Sequence, residues 1–228
     1  MIEMKMVSLP AALSLAALLS SCAASPLPRE TPQGRPGQVS VWSFAARPQD
    51  AAPAERPSSP STPYNIMGQG IISPADKAAF LLGSNQAADR DFVQALALLY
   101  AEEAAIEGVN HDVAFAQMLL ETGFLAFGGL VVPEMNNFAG LGSIGPGQRG
   151  LSFPDPRTGV RAHIQHLKAY ACTSPLNQPL VNPRFRFVRR GSAPTISGLT
   201  GTWAADPLYD VKIKNILERM YEFALGAG

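Results

Sequence analysis

The sequence predicts a small α+β domain, predominantly helical, with a compact glycine-rich lobe. Two features point there. Five alanine- and leucine-rich stretches carry apolar residues at helical spacing, and between the third and fourth lies a run rich in Gly, Pro and Asn, from 128 to 150. The first 63 residues have a different character. At 228 residues the chain holds one globular domain plus a substantial non-globular part. Charged residues make up only 16%, and acids balance bases at 18 each, so the electrostatic basis for a nucleic-acid partner is missing.

Residues 1–21 read as a secretory signal. A short n-region with Lys5 precedes an apolar run from Leu9 to Leu19. That run is too short for a spanning helix, which needs about 20 apolar residues. It ends in Leu19-Ser20-Ser21-Cys22, which resembles the lipobox of bacterial lipoproteins. The resemblance implies cleavage before Cys22 and a diacylglycerol on its sulfur, which would attach the protein to a membrane. Ala23 is compatible with sorting to the outer membrane, facing the periplasm, in a host with two membranes. With Cys22 lipidated, Cys172 is a lone thiol expected in the core. Residues 22–63 follow as a tether. Prolines recur among Ser, Gln, Arg and Ala, and no sustained apolar period could offset the entropy of ordering.

The folded domain is expected over 64–228. Ser73-Pro74 carries a capping hydroxyl followed by proline at the first helical position, and opens a short helix to about Leu82. A longer helix is expected from Asp89 to Gly108, with Phe92, Leu96, Leu99 and Ile106 inward and Tyr100, Glu102, Glu103 and Glu107 on a solvated face. Asn110 caps a third helix, from 112 to 121. The glycine-rich lobe follows, as loops with room for a short hairpin. Thr158 is expected to cap a fourth helix to Ala171, and a final helix runs from Pro207 to Leu225.

One residue resists a purely structural reading. The third helix is apolar nearly all round, with Val113, Ala114, Phe115, Ala116, Met118, Leu119 and Leu120, so it belongs in a core. It ends in Glu121, followed by Phe124, Leu125 and Phe127. Burial raises a carboxyl pKa, and a carboxyl group held protonated near neutral pH is what a glycosidase needs to protonate a leaving glycosidic oxygen. Gln117 and Met118 lie one turn earlier on the same face, which could line a groove.

The string Asn110-His-Asp-Val-Ala-Phe-Ala-Gln-Met-Leu-Leu-Glu121-Thr-Gly-Phe resembles the catalytic-helix motif of the glucosaminidase family, bacterial endo-β-N-acetylglucosaminidases with a lysozyme-like fold. Asn136-Asn137-Phe138-Ala139-Gly140 is similar to that family's Asn-Asn-x-x-Gly segment. Ala204-Ala205-Asp206-Pro207-Leu208-Tyr209 is similar to its Ala-x-Asp-Pro-x-Tyr segment. The three occur in order within about 66–224. The resemblance implies a peptidoglycan hydrolase cutting the β-1,4 bond between N-acetylglucosamine and N-acetylmuramic acid. It makes Glu121 the general acid, with Asn136, Asn137 and Phe138 at the cleft and Tyr209 assisting at the sugar subsite. No cofactor is implied.

Some relatives use a second glutamate in the lobe, and here the sequence departs. After Glu121 the only carboxylates before the final segment are Glu134 and Asp155. Asp155 is the candidate water-activating base, in a loop able to reach. Asp206 is more remote and suits a helix cap. Alternatively, the substrate's own 2-acetamido group attacks the anomeric carbon and one glutamate suffices. His163 and His166 share a helix face but lack third and fourth metal ligands, which favours hydrogen bonding within the domain over zinc. Arg184, Arg186, Arg189 and Arg190 form a solvated basic cluster with the right charge to meet peptide-stem carboxylates. Two rival functions stay open: a lytic transglycosylase, and a non-catalytic lipoprotein that binds the wall.

Overall fold

The computed structural model describes residues 64–143 and 149–226. The secretory signal, the tether and Cys22 lie outside the described residues. Five α-helices make up the domain: α1 Pro74–Ser84, α2 Arg90–Glu107, α3 His111–Thr122, α4 Pro156–Ala171 and α5 Tyr209–Leu225. Three short 3₁₀ turns, Pro133–Met135, Phe185–Phe187 and Ile196–Leu199, punctuate the connections.

The ends of the helices follow local chemistry. Ser73 accepts from the Asp76 N–H to start α1, Asp89 from the Phe92 N–H to start α2, and Asn110 from the Asp112 and Val113 N–H groups to start α3. Helix α4 begins earlier than expected. Asp155, not Thr158, is its cap, accepting from Thr158 N at 2.8 Å and Thr158 Oγ1 at 2.8 Å, with Pro156 filling the first turn. Helix α5 has no side-chain cap, because Asp206 accepts instead from the Leu208 N–H, outside the helix.

Helix α3 is the core element. Val113, Ala114, Phe115, Ala116, Met118 and Leu119 are fully buried, and α2, α4 and α5 pack around it, while α1 closes against α2 and α5. Truncating Phe115 to Ala in such packing would cost about 3–5 kcal/mol.

The domain is more helical than the α+β expectation. Among the described residues there is no strand, only isolated bridges pairing Asn65 with Thr195, Met67 with Val109 and Thr200 with Ala204. The lobe after α3 is turns and one 3₁₀ helix. Backbone bonds such as Leu151 N to Leu141 O and Phe153 N to Met135 O, with the Asn137 side chain bonded to Leu141 O and Leu151 O, tie its described part together without a ladder.

Helix α2 also differs from expectation. Its buried stripe is Val93, Leu96, Ala97, Tyr100, Glu103, Ala104 and Glu107, while Ile106 is exposed. Tyr100, Glu103 and Glu107, expected on a solvated face, therefore point inward. The cause is α4, which brings cations to the two glutamates and the His163 ring to Tyr100. Arg161 Nε donates to Glu103 at 2.8 Å, and Lys168 Nζ donates to Glu107 at 2.7 Å. Glu107 also accepts from the backbone N–H of Asn177 and Gln178. Burial alone would raise the Glu103 carboxyl pKa, but donors from Arg161, Gln178 and Arg157 bring it below the ordinary range. Cys172, expected in the core, is a half-buried free thiol at the end of α4.

Candidate active site

Glu121 sits at the last turn of α3, which Gly123 terminates in the left-handed conformation. The chain then holds that conformation through bulky residues: Phe124, Leu125 and Phe127 have φ of 57°, 64° and 49°. Each costs free energy that a glycine would not. The turn is held by Phe124 N to Leu119 O at 2.8 Å, Phe127 N to Thr122 O at 3.0 Å and Asn85 Nδ2 to Phe124 O at 2.8 Å. It forms one wall of a cavity of about 240 Å³ whose lining includes Glu121, Phe127, Leu130, Asn137, Gly140 and Ser143.

The Glu121 carboxyl is half-buried, with its two oxygens in different surroundings. Oε1 accepts from Trp203 Nε1 at 3.0 Å and from the Tyr209 hydroxyl in a short bond. Oε2 faces Gly140, where a Cβ would come within 3.3 Å of it. Burial raises the carboxyl pKa above the ordinary range, and the donors Tyr209 and Trp203 offset only part of that rise.

Behind Glu121 a hydrogen-bonded chain enters the core. Gln117 Nε2 donates to the Tyr209 oxygen at 2.8 Å, Gln117 Oε1 lies 3.0 Å from His163 Nε2, and His163 Nδ1 lies 2.8 Å from the Tyr100 hydroxyl. The side chains come from four helices: α3 (Glu121, Gln117), α5 (Tyr209), α4 (His163) and α2 (Tyr100). Trp203 is seated on α4, its ring 5.7, 5.0 and 5.5 Å from those of His163, His166 and Tyr170. His166 is anchored by Asn182 Nδ2 at 2.8 Å. Desolvation lowers the His163 pKa to about 3 and that of His166 to about 4, so both rings are neutral at physiological pH. Among the described residues no group of His, Cys, Asp and Glu could hold a metal ion.

The residues singled out from sequence therefore divide. Glu121 and Tyr209 come together, and Asn137 joins the cavity wall. Asn137 is buried, and its side chain splints the lobe: Nδ2 donates to Leu141 O and Leu151 O, both at 2.9 Å, and Oδ1 accepts from Leu141 N at 3.0 Å. Asn136, at φ 50°, donates to Phe153 O and positions the loop. Gln117 does not reach the cleft, being fully buried with both ends of its amide engaged. Phe138 is likewise in the core, 6.3 Å from the Phe92 ring. Asp155 is engaged in capping α4 and does not line the cavity. Asp206 bonds to Lys212.

Glu121 is thus the only carboxylate lining the cavity among the described residues. Residues 144–148, Ile-Gly-Pro-Gly-Gln, add none by composition. Two contributors were missed in the sequence. Trp203 stands immediately before the Ala-x-Asp-Pro-x-Tyr segment without a role, and only its contact with Glu121, 82 residues away, reveals one. Tyr100 was placed on the wrong face of α2, although its spacing from Val93, Leu96 and Ala97 matches the buried stripe.

A family described as mannosyl-glycoprotein endo-beta-N-acetylglucosaminidase, the glucosaminidase family, matches residues 97–222, which span α3, the lobe, α4 and nearly all of α5. The chain is also 46% identical over 158 residues to an uncharacterized protein of Borreliella burgdorferi, covering 69% of this chain and 78% of that one. No solved structure matches the chain.

Proposed function

The chain belongs to the glucosaminidase family, and on that premise we propose that it is a peptidoglycan hydrolase with a lysozyme-like catalytic domain. In this reading it is an endo-β-N-acetylglucosaminidase that cuts the β-1,4 bond between N-acetylglucosamine and N-acetylmuramic acid, with Glu121 as general acid. The observation that carries it is a carboxyl group with a raised pKa opening onto a cavity. Because Oε1 accepts two hydrogen bonds, the acid proton belongs on Oε2, the oxygen facing Gly140 and the cavity. Proton transfer of this kind contributes about 10²–10⁴-fold to rate.

The lone carboxylate favours participation by the substrate. An inverting enzyme holds a second carboxylate about 6.5–9.5 Å from the acid, and a retaining one about 5–5.5 Å; among the described residues the cavity lining offers neither. As Glu121 Oε2 protonates the leaving oxygen, the acetamido carbonyl oxygen of the cleaved N-acetylglucosamine bonds to its anomeric carbon, giving an oxazolinium ion. Glu121, now ionised and stabilised by Trp203 and Tyr209, then takes a proton from the water that opens this ring. Configuration is retained. The lipid on Cys22 and the tether over 22–63 belong to the same proposal. They would place the domain in the cell envelope, at the outer membrane facing the periplasm where the host has two membranes, within reach of glycan strands.

A single catalytic glutamate equally suits a lytic transglycosylase. Mass spectrometry of sacculi digested by the purified protein decides between them. New reducing N-acetylglucosamine ends are expected. Anhydromuramic ends would replace the proposal with the transglycosylase, and binding without release would leave a wall-binding lipoprotein.

A further inference from the structure

The chain Tyr100–His163–Gln117–Tyr209–Glu121 can run in two directions. In one, each donor points toward Glu121: Tyr100 O–H to His163 Nδ1, His163 Nε2–H to Gln117 Oε1, Gln117 Nε2–H to the Tyr209 oxygen, and Tyr209 O–H to Glu121 Oε1. In the other, every proton is reversed. Gln117 would take the Tyr209 proton, and Glu121 would have to donate from Oε1 to Tyr209. We propose that Tyr100 and His163 are positioning residues that impose the first direction and thereby keep the acid proton of Glu121 on Oε2, toward the cavity.

The far end of the chain decides it. Tyr100 is fully buried against Phe115, and its hydroxyl has one hydrogen-bond partner among the described residues, His163 Nδ1. In the first direction that hydroxyl donates, and every polar atom of the chain is satisfied. In the reverse direction His163 Nδ1–H would donate to the Tyr100 oxygen and leave the phenolic proton buried without an acceptor. An unmade buried hydrogen bond disfavours that state by about tenfold or more. Trp203 adds to the bias, because indole N–H can only donate, and it donates to Oε1. The direction then has a chemical result. In the first, Oε1 is saturated by donors and the proton sits on Oε2. In the second, the acid proton lies on Oε1, aimed into the core, where no glycosidic oxygen can receive it.

The surrounding charges leave this logic intact. Glu121 is faced by Tyr209 from α5, and Tyr100 on α2 also senses its charge; burial raises both phenol pKa values, so both stay protonated. His166 is faced by Arg184, whose positive charge further opposes its protonation, and His163, on the same helix, is kept neutral chiefly by burial, with His166 as the second cause. Tyr170 on α4 is the remaining titratable group coupled to Tyr209.

The catalytic consequence rests on Glu121 being the acid, whereas the direction of the chain does not, so the test has two independent arms. The first arm is nitrogen-15 NMR of the full-length protein labelled at its three histidines. It is expected to show His163 neutral with its proton on Nε2. A proton on Nδ1 would overturn the proposal whether or not the protein cleaves peptidoglycan. In the second arm Tyr100→Phe, which removes one oxygen, is expected to populate the Nδ1–H form and to raise the pH at which the Glu121 carboxyl carbon titrates. On sacculi it should lower kcat about three- to tenfold with KM unchanged, and shift the alkaline limb of the rate profile upward. A tautomer and carboxyl titration identical to wild type would sink the positioning role. Normal NMR behaviour in both proteins, without any cleavage by wild type, would refute the proposed function alone.

Discussion

Trp203 donates its indole N–H to Glu121 Oε1 at 3.0 Å, joining the loop before α5 to the end of α3 across 82 residues of sequence. The indole stays in place because His163, His166 and Tyr170 form a ring of aromatic edges beneath it. In the proposed reaction, the Glu121 carboxylate that has just lost its proton to a leaving group needs donors at once. Trp203 and Tyr209 are already aimed at it.

Replacing Trp203 by Phe keeps most of the packing and removes the donor. A hydrogen bond to a charged group contributes about 1.5–3 kcal/mol, so activity should fall at least tenfold. The donor lowers the Glu121 pKa. Its loss should raise that pKa further, and the alkaline limb of the rate profile, where the acid proton is lost, should move to higher pH. A flat response of that limb would argue against Trp203 as the partner of the acid.

Glu121→Gln removes the proton donor while retaining shape. Release of soluble muropeptides should drop about 10²–10⁴-fold. The thermal midpoint should hold or rise, because a neutral amide avoids the desolvation that burdens the carboxylate. Turbidity loss of sacculi, paired with calorimetry, measures both. Unchanged clearance would remove Glu121 from the chemistry.

Gly140→Ala tests the space in front of Oε2. Gly140 has φ 61°, where a side chain is strained by about 1–2 kcal/mol, and the added methyl would lie 3.3 Å from Glu121 Oε2. Activity should fall by about ten- to a hundredfold, more than the loss of stability explains. Full activity in a correctly folded Gly140→Ala protein would place the scissile oxygen elsewhere.

Acid stability should report on Asp112. This residue is fully buried, with Lys77 Nζ at 2.7 Å, and accepts from Ile71 N at 2.7 Å and Tyr221 OH at 3.1 Å. Burial alone would raise its pKa, but His111 and Lys77 more than reverse that and hold it well below the ordinary carboxylate range. A depressed folded-state pKa stabilises the fold above the unfolded value of about 4 and loses that contribution as pH falls below it. Asp112→Asn should cost about 3–5 kcal/mol at neutral pH by stranding Lys77. It should also flatten the decline of stability below pH 4. Urea midpoints at pH 7 and pH 3 compare the two proteins, and an equal drop in both would refute the assignment.

Helix number, order and the caps Ser73 and Asn110 were legible in the sequence because they rest on local chemistry, whereas Asp155 took the place expected of Thr158 and Asp206 does not cap α5. Ser73 and Asn110 each accept from N–H groups two or three residues ahead, and the apolar perimeter of α3 announces a core helix. Glu121 was visible for the same reason, as a carboxyl ending a run of buried residues. Gln117 and Phe138 were harder. Helical spacing places Gln117 near the cleft and the family resemblance implies the same of Phe138, and whether such a side chain turns outward or inward depends on what the neighbouring helices offer. His163 captures Gln117, and Phe92 packs against Phe138. Tyr100, Glu103 and Glu107 show the limit most clearly, since polar residues at buried spacing look solvated until partners on α4 are known.

The sequence by itself determined a helical core element, its start and stop, and the single carboxyl at its end, because these depend on contacts within a few residues. Tertiary structure alone decided which oxygen of that carboxyl faces the cavity and that no second acid lines it among the described residues. It also decided that a tyrosine 21 positions earlier governs its proton. Those outcomes depend on hydrogen-bond donors brought together from four helices and one loop, and such long-range meetings leave no periodic trace along the chain.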